Sequence, residues 1–599
     1  MPSSELTLTS NALHVLQARY LRTDAAGRVE TPVEMFRRVA AHVAAVEKRY
    51  GGSPDASADA FYEAMARLQF LPNSPALMNA GTAMGQLAAC FVLPVEDSLD
   101  AIFRTLHDAA LIQQTGGGVG YDFSRLRPTG DPVTSTGGVS SGPVSFMTAF
   151  DSAVEAVRQG GRRRGANMAV LDVHHPDIET FVIAKRDTQA LRNFNLSVAV
   201  DDAFMKAAAD HCEVTLTNPR TGLAAGHRSA EELLRLVAQC AWETGDPGLI
   251  FLDRINRDNP TPALGRITAT NPCGEVPLLP YEACVLGSIN LSSLSVTGVF
   301  DWEQLDRLTD LAMRFLDDCI DATVFPLPEI AAAARGSRKV GLGVMGFADA
   351  LVDLRIPYDD EAAIRFASDV LSRMALRARD ASRALAAARG AYPNFPRSRD
   401  AARGEPPVRN ATRIAVAPTG SLSLIAGCSS GIEPFFAIAY ERRVLDGTAL
   451  VEMNSRFERR AASEGIWTPA VRARVLARGR VRDVPEVPAA LRRLFPTAHE
   501  VAPEQHIRIQ AACQAHADNA VSKTVNLAAD ATVDGVEHAF RRAFELGCKG
   551  ITVYRHGARA GQVLTPAVSS SALCPDCLSA LEFSEGVTLC RACGFSSAA

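Results

Sequence analysis

The sequence predicts an α/β protein with a substantially parallel sheet, and three observations carry that expectation. Short apolar runs rich in β-branched residues recur through the long middle of the chain. Helical patterns, such as 229–244, 303–322 and 360–389, lie between many of them. Nine such runs are many for an open sheet and favour closure into a barrel. Residues 1–70, by contrast, carry only the helical period.

At the amino end, "TSNALHVLQARYL" offers Thr, Ser and Asn as caps ahead of apolar residues at helical spacing. "TPVEMFRRVAAHVAAVEKRYG" is a second helical stretch that ends on glycine. The β-like runs follow: "LAACFVLPV" (87–95), "MAVLDV" (168–173), "NLSVAV" (195–200), "EVTLTN" (213–218), "VLGSINL" (285–291), "VGLGVMGF" (340–347), "RIAVAP" (413–418), "AIAYERRV" (437–444) and "GITVYR" (550–555). The chain therefore divides into a helical region over 1–85 and a catalytic α/β region over 86–555. Residues 556–573, "HGARAGQVLTPAVSSSAL", read as a flexible connector. A cysteine-rich tail occupies 574–599.

Composition excludes several classes of function. A hydrophobic content of 47% and a charged content of 22% are those of an ordinary globular protein. The net charge of −5 provides no field for nucleic acid or an anionic membrane. The amino terminus has no basic segment followed by an apolar core, and no window is long and apolar enough to span a bilayer, so a cytoplasmic location is expected. Thirteen cysteines in such a chain point to thiol chemistry or metal rather than a disulfide framework. Nine are dispersed, and for any one of those a small buried hydrophobe is the plainer reading.

The dispersed cysteine in the most unusual setting is Cys273, in "ATNPCGEVPL" (269–278). Pro272 lacks an amide donor and pushes Asn271 towards extended geometry, while Gly274 frees the backbone. In an extended segment residues two apart point the same way, so Asn271, Cys273 and Glu275 are expected on one face of a tight loop. An amide, a sulfur and a carboxylate aimed together suit an activated sulfur beside a general base, although Asn, Pro and Gly also make an ordinary turn. Cys90 and Cys284 both sit in or beside β-like runs, and neighbouring strands would allow a reversible disulfide between them. From spacing alone that signal is weak.

Three further stretches carry chemistry. In "APTGSLSLIAGCSSGIEP" (417–434) a strand leads into Pro418, Thr419, Gly420, Ser421 and Ser423 ahead of an apolar run. That suits a phosphate at a helix amino end and equally suits a simple cap. The Gly-rich stretches "QQTGGGVGYDFSRLRP" (113–128) and "RQGGRRRGANM" (158–168) read as anion-binding loops or as a solvated basic face. In the tail, Cys574-x-x-Cys577 and Cys590-x-x-Cys593 have zinc-ribbon spacing, with a swinging electron-carrying dithiol as the rival.

Together these pieces resemble the adenosylcobalamin-dependent (class II) ribonucleotide reductases over nearly the whole chain. "NALHVLQARYL", "LPNSPALMNAGT", "TNPCGE", "LGSINL", "PTGSLSLIAGCSSGIEP" and "VSKTVNL…GCKGITVYR" match in order. The resemblance implies a ten-stranded α/β barrel with a central loop carrying a radical cysteine. It makes Cys273 the transient thiyl that removes the ribose 3′-hydrogen, Glu275 the base for the 3′-hydroxyl proton and Asn271 the amide that positions the hydroxyls. It makes Cys90 and Cys284 the pair that gives up two electrons as the 2′-hydroxyl leaves. The 418–423 stretch becomes the cradle for the substrate diphosphate, with Ser74 as a helper. Asp97, Arg127 and Arg163 fall where the family binds a deoxynucleotide or ATP effector.

The cofactor implied is adenosylcobalamin, with Zn²⁺ as a candidate in the tail. The implied partners are a ribonucleoside diphosphate, a thioredoxin-like reductant and a second copy of the chain. The class I large subunit carries two adjacent tyrosines where this chain has Tyr554-Arg555, and "YRHGARAGQVL" is not a glycyl-radical element. A class I-type subunit needing a radical-bearing partner remains the alternative. A zinc-ribbon nucleic-acid-binding protein is opposed by the charge balance. No Asp-x-His-x-x-Gly cobalamin motif occurs. Val276 and Val587 depart from the family pattern.

Overall fold

The computed structural model describes residues 6–134, 137–159, 163–296, 298–443 and 449–558, together with the short strands Leu564–Pro566, Glu582–Ser584, Val587–Leu589 and Ser596–Ala598. Three helices open the chain: α1 (Ser10–Arg19), α2 (Pro32–Ala44) and α3 (Pro54–Ala66). Local chemistry sets their starts. Thr31 and Glu34 form a reciprocal capping box on α2, with Pro32 in the first turn.

Ten strands make the central sheet: β1 (Phe70–Pro72), β2 (Cys90–Pro94), β3 (Gly118–Asp122), β4 (Asn167–Asp172), β5 (Phe194–Val200), β6 (Gly248–Phe251), β7 (Ala283–Asn290), β8 (Val340–Met345), β9 (Thr524–Leu527) and β10 (Gly550–Arg555). Their order is β1-β7-β2-β3-β4-β5-β6-β10-β9, with β8 also on β7. Strands β2 to β6 run parallel to one another, as do β7 with β8 and β9 with β10. Strand β1 pairs antiparallel with β7, and the two parallel halves meet antiparallel at β2/β7 and at β6/β10.

Closure comes from the predicted run 413–418. It forms no regular strand but bridges β8 through Leu342 and Ile414, and bridges the segment before β9 through Val416 and Val521. Hydrogen bonds from Ala415 N to Leu342 O and from Ser522 N to Val416 O complete the ring. Two other predicted runs lie outside it. Glu213–Thr217 forms a hairpin with Ala224–Ser229, and Ala439–Arg443 belongs to a separate three-stranded sheet.

Inside the ring lies an apolar cluster distinct from the main core. Cys90 and Val92, Met168 and Val170, and Cys284 and Leu286 each alternate inwards from β2, β4 and β7, as strand geometry requires. They pack against Ile267, Ala269, Val276 and Leu278. The barrel core is thus filled by a piece of its own chain. Among the described residues no helix is long and apolar enough to cross a membrane.

Candidate active site

That piece is a hairpin in which Ala269–Thr270 pairs antiparallel with Pro277–Leu278. Glycines on the barrel wall make room for it. A Cβ on Gly120 would overlap the Thr270 carbonyl oxygen, and one on Gly118 would come within 2.9 Å of Pro272 Cγ. The Gly-rich stretch read as an anion loop is therefore strand β3, and its glycines are the clearance for the hairpin.

The hairpin tip is a tight turn rather than an extended segment. Gly274 N donates to Asn271 O at 3.0 Å, and Gly274 adopts φ +81°, which the absence of a Cβ permits. The turn separates the three residues expected on one face. Asn271 and Glu275 are buried within the barrel, whereas Cys273 is exposed at the tip. It borders a cavity of about 440 Å³.

Hydrogen bonds hold the buried pair. Asn271 Nδ2 donates to Glu275 Oε2 at 2.8 Å and to Cys90 Sγ at 3.1 Å, while its Oδ1 accepts from Val276 N at 2.9 Å. Ala520 N donates to Glu275 O at 2.8 Å, and Asn195 Nδ2 donates to Pro272 O at 2.7 Å. Burial pushes the Glu275 carboxyl up to about 7, and the Asn271 amide partly offsets this. A carboxylate poised near neutrality can both take and return a proton.

Cys90 and Cys284 are register partners across β2 and β7, both buried and both reduced. Burial first, and then the Glu275 charge, push the Cys90 thiol well above the ordinary range. Burial does the same to Cys284, with the Lys339 ammonium opposing it. Both therefore stay protonated at neutral pH, so they can supply hydrogen as well as electrons.

Pro418 borders the Cys273 cavity and also a second one of about 580 Å³, which Gly420 and Ser423 line; Thr524 and Asn526 belong to both. Thr419 is left-handed at φ +55° and its hydroxyl accepts from Gly431 N at 2.8 Å, which folds the stretch back on itself. Nothing stands within 4 Å of the site where a Gly420 Cβ would be. Ser423 Oγ pairs with Ser430 Oγ at 2.9 Å. Helix α1 and the Tyr20 that caps it supply the remaining contacts: Arg19 Nη1 donates to Ser421 Oγ at 3.4 Å, and Tyr20 Oη meets Ser74 Oγ at 2.8 Å.

Asp97 and Arg127 lie elsewhere, beyond the carboxyl ends of β2 and β3, where Arg127 Nε donates to both Asp97 carboxylate oxygens at 2.8 and 3.1 Å. Only the backbone of Arg163 is described, in a two-residue pairing with Arg158–Gln159, and residues 160–162 lie outside the described residues. So do Cys574, Cys577, Cys590 and Cys593. Sequence reasoning did not single out Asn195, nor the pair of buried Lys523 with half-buried Glu433 between the two cavities. The "VSKTVNL" and "GIEP" stretches were the only signals for that pair.

The family model "Ribonucleotide reductase, barrel domain" matches residues 88–554, and "Ribonucleotide reductase, all-alpha domain" matches 6–85. A vitamin B12-dependent ribonucleoside-diphosphate reductase of Mycobacterium tuberculosis is 53% identical over 566 residues, covering 94% of this chain and 81% of that one. A protein of the same name from Thermoplasma acidophilum is 44% identical over 620 residues, covering 94% and 80%. The class Id ribonucleotide reductase alpha subunit of Actinobacillus ureae superposes with a TM-score of 0.76 at 23% identity, over 93% of this chain and 98% of that chain, which is a likeness of fold. With both domains matched and more than half the residues shared with a B12-dependent member, the chain belongs to the ribonucleotide reductase family.

Proposed function

We propose that this chain reduces ribonucleoside diphosphates to 2′-deoxyribonucleoside diphosphates, starting from a thiyl at Cys273 that adenosylcobalamin initiates. The observation that carries the reading is the Asn271 amide, which bridges Cys90 and Glu275 directly behind a loop tip whose sulfur faces a cavity. The names of the two relatives above support the substrate class and the cofactor.

The residues around the sulfur fit such a cofactor. Asp246 and Lys523 are the charged residues lining the cavity, and each is neutralised, by Lys185 and Glu433 respectively. The rest is backbone, uncharged polar groups and apolar side chains, which suits one face of a bulky flat group set against the sulfur. When bound, adenosylcobalamin would supply the one-electron chemistry that no polar side chain can. The chain does the rest. Cys273 takes the 3′-hydrogen and returns it at the end of turnover, and Glu275 takes the 3′-hydroxyl proton and gives it back, a role suited to its value near 7. The 2′-hydroxyl leaves as water. Cys90 and Cys284 give two hydrogens in all, and their sulfurs join as a disulfide, so one C–O bond is exchanged for one C–H bond. An external thioredoxin-like dithiol returns the pair to thiols.

Residues 418–423 with Ser74 hold the substrate diphosphate in this reading, because open space at Gly420 and clustered hydroxyls suit an anion. Asp97, Arg127 and Arg163 bind a nucleotide effector. A homodimer is also part of the reading: the helix Leu99–Gln114 begins beside Asp97 and leaves Leu99 64% and Phe103 53% exposed. The tail cysteines hold zinc or carry electrons. The test is anaerobic turnover of CDP with dithiothreitol, with and without adenosylcobalamin and with no second protein. Turnover only in the presence of the cofactor is expected. A requirement for a radical-bearing partner would overturn the reading.

A further inference from the structure

The turn at residues 517–520 touches the Glu275 backbone and is itself assembled around a buried ammonium group. Three successive carbonyl oxygens, of Ala517, Asp518 and Asn519, converge on Lys549 Nζ at 3.3, 2.9 and 2.7 Å. The Asp258 carboxylate closes the shell at 2.8 Å. Lys549 is 3% exposed, so its charge is satisfied almost wholly by these groups. Three carbonyl dipoles aimed at one point repel each other, and the ammonium at their focus offsets that repulsion.

The next peptide unit reaches the active site. Ala520 N donates to Glu275 O at 2.8 Å, and Val416 N donates to Ala520 O at 3.2 Å. On its other side the turn is fastened to the barrel. The Asp518 carboxylate accepts from the backbone N–H of Arg413 and Ile414, and Asn519 Nδ2 donates to Val340 O at 3.2 Å. A water-sized space beside it is lined by Lys339, Asp258, Asp518, Asn519 and Lys549. Asn519 Oδ1 is buried without a hydrogen-bond partner, which leaves an acceptor in the same turn.

We propose that Lys549 is a positioning residue for Glu275, an internal cation that shapes the 517–520 turn and, through the Ala520–Glu275 hydrogen bond, keeps the carboxylate beside Asn271. The inference rests on the reading of Glu275 as the base. The Lys549 ammonium does not border the cavity in front of Cys273, and the route from it to Glu275 runs through the turn. The groups that face Glu275 are Asn271 and the Cys90 and Cys284 thiols, with Cys273 at the tip of the same loop. Those that face Lys549 are Asp258 and Asp518, with Arg399 adding a like charge and Lys339 on the water-sized space.

The experiment measures CDP turnover by Lys549→Ala and Lys549→Met in the full chain with adenosylcobalamin and dithiothreitol, between about pH 5 and 9. Each is measured with and without ammonium chloride, beside thermal unfolding. Loss of the cation loosens the loop and admits water to Glu275, so kcat falls about 10- to 100-fold while KM changes little. The acid limb of the pH profile also moves to lower pH. Ammonium restores Lys549→Ala towards wild type, but not Lys549→Met, whose side chain fills the space. An unchanged kcat and limb would overturn the inference, and so would a loss of kcat with neither a limb shift nor an ammonium response.

Should neither Lys549 variant fold, Asp258→Asn removes the half-exposed side of the shell. It is expected to move the limb in the same direction by a smaller amount, and an unmoved limb overturns the inference. Glu275→Gln measured alongside separates the two levels. An inactive Gln variant beside an unaffected Lys549→Ala sinks this inference alone. A Gln variant at the wild-type rate sinks the base assignment and this inference with it.

Discussion

Cys90 and Cys284 stand directly opposite one another on antiparallel strands, inside the barrel and next to Asn271. Opposed residues on such strands have Cα atoms about 4.5–5.5 Å apart, within the range a disulfide spans. A mild oxidant should therefore join these two sulfurs without disturbing the backbone. Mass spectrometry after thiol alkylation is expected to find Cys90 and Cys284 linked, and Cys284→Ser is expected to leave Cys90 alkylatable after unfolding. Linkage of Cys90 to Cys273 instead would contradict the assignment.

The Glu275 carboxyl makes two opposite demands on pH. As a base it has to be ionised, so turnover should rise with pH around a midpoint of about 7. For stability the sign is reversed. Its folded value lies above its unfolded one, so the folded state binds the proton more tightly, and this contribution is lost as pH climbs from about 4.5 to about 7. The difference is on the order of 3 kcal/mol. Glu275→Gln should thus be inactive yet more heat-stable than wild type at pH 8, with the gap narrowing towards pH 5. Unfolding curves for the two proteins at both pH values check this. Equal gaps would contradict it.

Much of this site was legible in the sequence because its residues sit in short local patterns. The Asn271–Glu275 loop announces itself by Pro272 and Gly274, while Cys90 lies in a β-like run and Cys284 beside one, a weak signal for their pairing. What local pattern could not convey was long-range clearance. Gly118 and Gly120 look like a flexible loop until Pro272 and Thr270 are found where their side chains would be. The expectation of one shared face for Asn271, Cys273 and Glu275 failed for a related reason, since the Gly274 turn buries Asn271 and Glu275 and exposes Cys273. The run 413–418 was recognised, but its role as the closing bridge depends on partners at Leu342 and Val521, far away in the chain.

That clearance is itself testable. Gly120→Ala adds one methyl against the Thr270 carbonyl, a backbone atom that cannot rotate away. The hairpin has to shift within the barrel, at a cost of about 1–3 kcal/mol. Thermal unfolding should show that loss together with a collapse of turnover. Wild-type activity in this variant would mean that the loop position matters less than the geometry implies.

The most direct test compares Cys273→Ser with wild type in anaerobic CDP reduction with adenosylcobalamin and dithiothreitol. An oxygen at this tip cannot act as the one-electron oxidant, while the fold and the buried Asn271–Glu275 pair are left intact. The account predicts a correctly folded protein whose rate falls below about a thousandth of wild type, on the order of 4 kcal/mol of barrier. Turnover by the serine variant within tenfold of wild type would contradict it.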